Sequence, residues 1–229
     1  MQPPKLLLAL SCVNMLIDLD PHVSWITFLS MRGYIRNLID SLMDSDVKLI
    51  SVLETAPETL GPLYIYESKM ALLCRIAATR TGAELLLEQG ALACLSSMQV
   101  LDRHPDIKTL YSVPAGNIIQ ILCSCWYYQT DTLFLLVISD SSTAASMDFY
   151  PSISSRYMQI LFPALNFCDA ILTSLGTKNQ SCTAQVLHFL MSHNDTVNLV
   201  LHSGSPYIQL IFLKELARLT CIISRASQQ

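Results

Sequence analysis

Between Gly61 and Ala77 the sequence sets Leu63, Tyr66, Met70, Leu73, Cys74 and Ala77 at helical spacing, while Leu72 and Ile76 form a second stripe. A helix with two apolar stripes has packed neighbours on two sides, so this chain must stack helices. Gly61-Pro62 opens that helix, with proline at a first-turn position. The following stretch, Thr79 to Met98, reads TRTGAELLLEQGALACLSSM. Gly82 and Gly90 punctuate it, Gly90 as a C-terminal cap, which predicts helices near 82–89 and 91–100. Helices shorter than about 12 residues are marginal alone in water, so stacking must hold these in place.

The same punctuation extends outward. Pro3 and Pro4 open a first amphipathic helix. Asp20-Pro21 pairs an acidic cap with proline and predicts a helix through Trp25, Ile26 and Leu29, past Gly33 and on towards Met43. Asp44 or Ser45 caps a short helix, Val47 to Leu53, which Pro57 ends. Ser155 to Leu175 reads as a helix kinked at Pro163. Shorter helices follow over Thr183 to Ser192 and Thr196 to Leu201. Gly204-Ser205-Pro206 opens the last, with Ile208, Ile211, Phe212, Leu219 and Ile223 as its stripe.

Serial helices with short loops give an all-α chain, and glycine-hinged short helices fit an irregular armadillo/HEAT-like α-solenoid fragment better than a four-helix bundle. Leu110 to Met147 breaks the pattern. It is almost uncharged, holds the densest cluster of aromatic residues and cysteines, and includes a run, Leu133 to Ile138, that suits a β-strand. Residues 1–109 are therefore read as the N-terminal part of the solenoid, 110–150 as an anomalous insertion or loop, and 151–229 as its C-terminal helices.

Hydrophobic residues make up 52% of the 229 and charged residues 14%, against a usual charged share of about 25%. That imbalance suits a membrane protein, a piece of a larger packed body, or a subunit of an assembly. No run reaches the roughly 18 consecutive apolar residues of a spanning helix. The apolar run from Leu6 has one preceding lysine and acidic Asp18 and Asp20 soon after, so it reads as the first helix, with a signal peptide as the alternative. A net charge of −4 without a basic block argues against direct nucleic-acid binding.

No chemistry-bearing motif stands out. Cys123-Ser124-Cys125 lacks the spacing and the second pair of a metal site. Cys12, Cys74, Cys94, Cys168, Cys182 and Cys221 sit inside apolar helical runs as small buried hydrophobes of a reducing compartment. His188 and His193 fall on different helix faces, and His202 lies further on. Glu84 and Glu88 stand one turn apart, as an acid/base pair would, but with Glu67 nearby they read as a solvated face. Tyr64 and Tyr66 belong to a packing pattern, and Trp126, Tyr127 and Tyr128 to the anomalous segment. The Asn179 and Asn194 triplets are glycosylation sequons in form only. Neither a G-x-S-x-G elbow nor a glycine-rich phosphate loop is present, so no catalytic, cofactor or metal residue is assigned, and no cofactor or small-molecule ligand is expected.

Four blocks carry a resemblance: Leu63 to Asp106, Arg156 to Gly176, Ala184 to Leu201 and Lys214 to Ala226. In order and together, over about half of the chain, they resemble the large α-solenoid scaffold nucleoporins of the nuclear pore inner ring. The resemblance implies a non-enzymatic scaffold at the nuclear envelope, with other scaffold and linker nucleoporins as partners and a role in pore assembly and nucleocytoplasmic transport. It also implies a C-terminal fragment or short form of a much longer protein, with 110–147 as a retained-intron-like insertion. The residues alone leave two other readings open: a generic armadillo/HEAT-like adaptor unrelated to the pore, and an α-helical enzyme or metal protein using Cys123, Cys125 and the histidines.

Overall fold

The computed structural model describes residues 3–20, 22–103, 153–176 and 179–196, and every regular element among them is helical. The helices are α1 (Pro3–Asp18), α2 (Ser24–Met31), α3 (Tyr34–Val52), α4 (Gly61–Ala77), α5 (Arg80–Glu88), α6 (Ala91–Ser96), α7 (Ile153–Leu175) and α8 (Gln180–Ser192), with a 3₁₀ turn at Gln99–Asp102 after α6. The anomalous segment 110–147, the run at 133–138 and the final helix expected from Pro206 lie outside the described residues.

The centre is α4, as its two stripes require. Leu63, Tyr66, Met70, Leu73 and Ala77 are buried, and so are Leu72 and Ile76 of the second stripe. On one side the Tyr66 hydroxyl donates to the carbonyl of Ile160 in α7 at 3.0 Å, and Cys74 lies against the carbonyl of Pro163. On another, Arg75 pairs with Asp18 of α1. On a third, the Lys69 ammonium donates to the Ser41 carbonyl and the Ser45 hydroxyl of α3, at 2.8 and 2.9 Å.

Several boundaries differ from expectation, each for a physical reason. The helix expected to run past Gly33 breaks there, because Gly33 sits in the left-handed region at φ 73° and divides α2 from α3. Asp20 does serve the start of α2, accepting from the backbone N–H of His22 and of Trp25, but the helix opens only at Ser24. The separate helix expected from Asp44 or Ser45 does not exist: α3 runs through both residues, and Ser45 donates back to the Ser41 carbonyl. Gly82 is no hinge but lies inside α5, whose cap is Thr79, accepting from the Gly82 N–H at 3.1 Å.

The helix expected over 91–100 stops at Ser96 because Asp46 of α3 takes the N–H groups of Gln99 and Val100, both at 3.0 Å. Gly90, at φ 76°, makes the left-handed turn expected of it. Asn179 caps α8, accepting from Cys182 N–H, which starts that helix three residues earlier than the pattern suggested.

α7 runs unbroken through Pro163. By length and mean hydropathy its stretch Arg156–Leu175 could cross a membrane, which a count of consecutive apolar residues overlooks. Most of it is buried against α4, α5 and α8, as a core helix is.

Two predictions follow from α4 and its neighbour. A Cβ at Gly82 would lie 2.1 Å from the carbonyl oxygen of Ile76, so backbone must move. Gly82→Ala should destabilise the chain by about 2 kcal/mol, read as a lower urea midpoint by far-UV circular dichroism. At Gly90 the space is open and the strain is dihedral only, so Gly90→Ala should cost about 1 kcal/mol. Second, burial pushes the half-buried Glu67 carboxyl up to about 8 from an ordinary 4.5. Between those values the folded chain holds a proton that the unfolded chain has released, so stability falls as pH rises from about 4.5 through 8. Glu67→Gln should flatten that decline in thermal melts taken across the same window; an unchanged slope would contradict it.

Candidate interaction surface

Among the described residues, those that sequence reasoning considered for chemistry are not brought together. Glu84 and Glu88 are exposed on α5, and Glu84 pairs with Arg80, which makes them a solvated face. His188 is exposed, whereas His193 is buried, its Nδ1 2.7 Å from Asp102 and its Nε2 3.2 Å from the Leu95 carbonyl. His193 is thus a satisfied core histidine that ties the end of α8 to the 3₁₀ turn. Cys123, Cys125, Trp126, Tyr127, Tyr128, His202 and Cys221 lie outside the described residues. Among the described residues no three His, Cys, Asp or Glu side chains gather as a metal site would need.

Cys168 and Cys182 are buried and Cys74 and Cys94 partly so, but Cys12 is exposed, contrary to expectation. Burial pushes the Cys74 thiol up to about 12 and those of Cys94 and Cys182 up to about 11, and raises Cys168 as well. These thiols stay protonated at neutral pH and are poor nucleophiles.

The distinctive surface lies instead on α1 to α3. Apart from Tyr64 and Met191, the large apolar side chains exposed among the described residues all lie there: Leu8, Met15, Leu16 and Leu19 on or just after α1, Trp25, Phe28 and Met31 on α2, and Tyr34, Met43 and Val47 on α3. Ile26 alone is buried in α2, which leaves that helix attached by one side. Its free side carries Trp25 and Phe28, edge to face with centroids 5.9 Å apart, and the guanidinium of Arg32 rests 5.6 Å from the Phe28 ring centre. Exposed Trp, Phe and Met on one short helix, with Arg32 at its C-cap, are the composition of a binding surface. Sequence reasoning missed it because it ran a helix through Trp25, Ile26 and Leu29 without separating the covered side from the open one. The available signal was the i, i+3 spacing of Trp25 and Phe28, off the side that Ile26 defines.

Comparison with known proteins places this architecture. Residues 5–227 match the Nup192 family, described as nuclear pore complex scaffold, nucleoporins 186/192/205. The chain is 37% identical over 221 residues to the nuclear pore complex protein Nup205 of Drosophila melanogaster, covering 96% of this chain and 9% of that protein. Against Nup205 of Homo sapiens the identity is 35% over 221 residues, covering 96% of this chain and 10% of the relative. The chain therefore spans about a tenth of the length of these curated relatives. With a match that runs through nearly all of its residues, the chain belongs to the family of nuclear pore complex scaffold proteins that comprises nucleoporins 186, 192 and 205.

Proposed function

We propose that this chain is a non-catalytic scaffold piece of the nuclear pore complex, located at the nuclear envelope and acting through contacts with scaffold and linker nucleoporins in pore assembly and nucleocytoplasmic transport. The observation that carries this reading is the family match over residues 5–227. The surface agrees with it. The described helices gather apolar and aromatic groups on α1 to α3, as a body made for protein contact requires.

On this reading residues 1–109 and 151–229 are two parts of one irregular solenoid-like stack, and 110–150 is an insertion between them. The bond from Tyr66 to the Ile160 carbonyl, which joins α4 to α7 across that interval, supports such a division. Trp25 and Phe28 are the side chains through which the stack meets a pore partner.

A fluorescently tagged 229-residue chain should mark the nuclear rim and co-purify scaffold nucleoporins, and Trp25→Ala with Phe28→Ala should cut that recovery by about tenfold or more. A diffuse signal, or recovery of unrelated proteins without nucleoporins, would count against the proposal.

A further inference from the structure

α2 begins in an unusual way. Its N-cap, Val23, has left-handed backbone at φ 59° and ψ 20° and makes no side-chain cap bond. That region is open to glycine and costly for a β-branched residue, and Val23 is the only residue other than glycine with positive φ among the described residues. Asp20 holds it there. One oxygen of its carboxylate accepts from the N–H of His22 at 3.0 Å and the other from the N–H of Trp25 at 2.7 Å, so the two bonds straddle Val23. The side chain of an N-cap residue ordinarily takes the N–H that Trp25 offers; here Asp20 takes it from ahead of the cap.

The other end of α2 turns on Gly33, also left-handed at φ 73°. Between these two turns the helix is tied to the body by few groups. Ile26 is buried, Leu29 is partly buried against the core, and Ser30 meets the side-chain N–H of Gln89 at a long 3.4 Å. The Oε1 atom of that same Gln89 is buried without a hydrogen-bond partner among the described residues. The seated position thus carries two costs, a strained Val23 and an unanswered amide oxygen, against a light set of ties. Elements so placed lie at the low-stability end of a fold and are the ones that move.

We propose that α2 is a hinged flap and that Asp20 is its catch. Seated, α2 holds Trp25 and Phe28 as their edge-to-face pair. When the Asp20 bonds open, Val23 relaxes to the extended backbone usual for an N-cap, α2 turns about Gly33, and the aromatic pair leaves its place. The strain keeps the released position within reach, so a contact surface can be switched without unfolding the stack. This regulates the surface assigned above to a pore partner and rests on that reading for what the surface meets, while the motion stands on the backbone alone.

Hydrogen–deuterium exchange of the purified 229-residue chain tests the motion with no partner present, so its outcome is separate from that of the rim and co-purification experiment. Amides of α2 should exchange faster than those of α4 by about tenfold or more. Val23→Gly, which removes the strain, should slow exchange over α2 by about threefold or more. Asp20→Ala, which removes the catch, should speed it by about threefold or more. Exchange in α4 should stay unchanged in both variants. α2 exchange equal to that of α4, faster exchange in Val23→Gly, no change in Asp20→Ala, or changes shared equally by α4 would overturn the flap. Where nucleoporins are recovered with the tagged chain, Asp20→Ala should lower the recovery by about threefold or more and Val23→Gly should not. Recovery that ignores Asp20→Ala while α2 exchange rises would overturn the regulatory role.

Discussion

The burial of α4 along both of its apolar stripes is the constraint from which the rest of this fold follows. Both stripes are buried, and the side chains of α4 reach three helices at once, Tyr66 and Cys74 to α7, Lys69 to α3 and Arg75 to α1. Burying one such side chain is worth about 1.5–3 kcal/mol, so two full stripes outweigh any preference of the flanking segments. α1, α3 and α7 are arranged around that demand, and α5, α6 and α8 close the remaining gaps.

Burying helices end to side creates a second problem, because the last carbonyls of each helix lose water before they gain a partner. Here polar side chains from elsewhere in the chain supply it. Arg156 of α7 donates to the carbonyls of Val52 and Glu54 at the end of α3. Ser174 donates to Ala77 at the end of α4 at 2.6 Å. Tyr157 and Thr196 share the carbonyl of Leu101, at 2.7 and 2.8 Å. Asp46 does the converse, accepting from N–H groups of the 3₁₀ turn. These bonds fix how far each helix slides along the next, which apolar contact by itself leaves loose.

How far the sequence reveals this depends on whether the signal is local. α1, α4 and α7 were legible, since proline, glycine and long apolar stripes lie within each segment. Gly90 was legible because a left-handed turn strongly favours that residue. Gly33 was not, because a glycine within a helical pattern is as compatible with continuation as with a break. Asp44 and Ser45 resemble a cap, yet packing against Lys69 keeps α3 intact through them, a choice made 24 residues away. Asp46 and the early stop of α6 belong to the same class. The exposed Trp25 and Phe28 escaped notice because periodicity finds a stripe without saying which side is covered. Family identity fared better, since it draws on many weakly informative positions at once.

The bonds from Arg156 back to Val52 and from Tyr157 back to Leu101 span 104 and 56 residues of sequence. On the ribosome, α3 and α4 emerge well before the helix that seals them, and at about 5–20 residues per second the interval from Ala77 to Leu175 lasts on the order of ten seconds. Through that time one stripe of α4 and the carbonyl end of α3 stay wet. The nascent chain therefore presents to chaperones the surface that α7 later occupies, and synthesis through Leu175 decides when the stack can close.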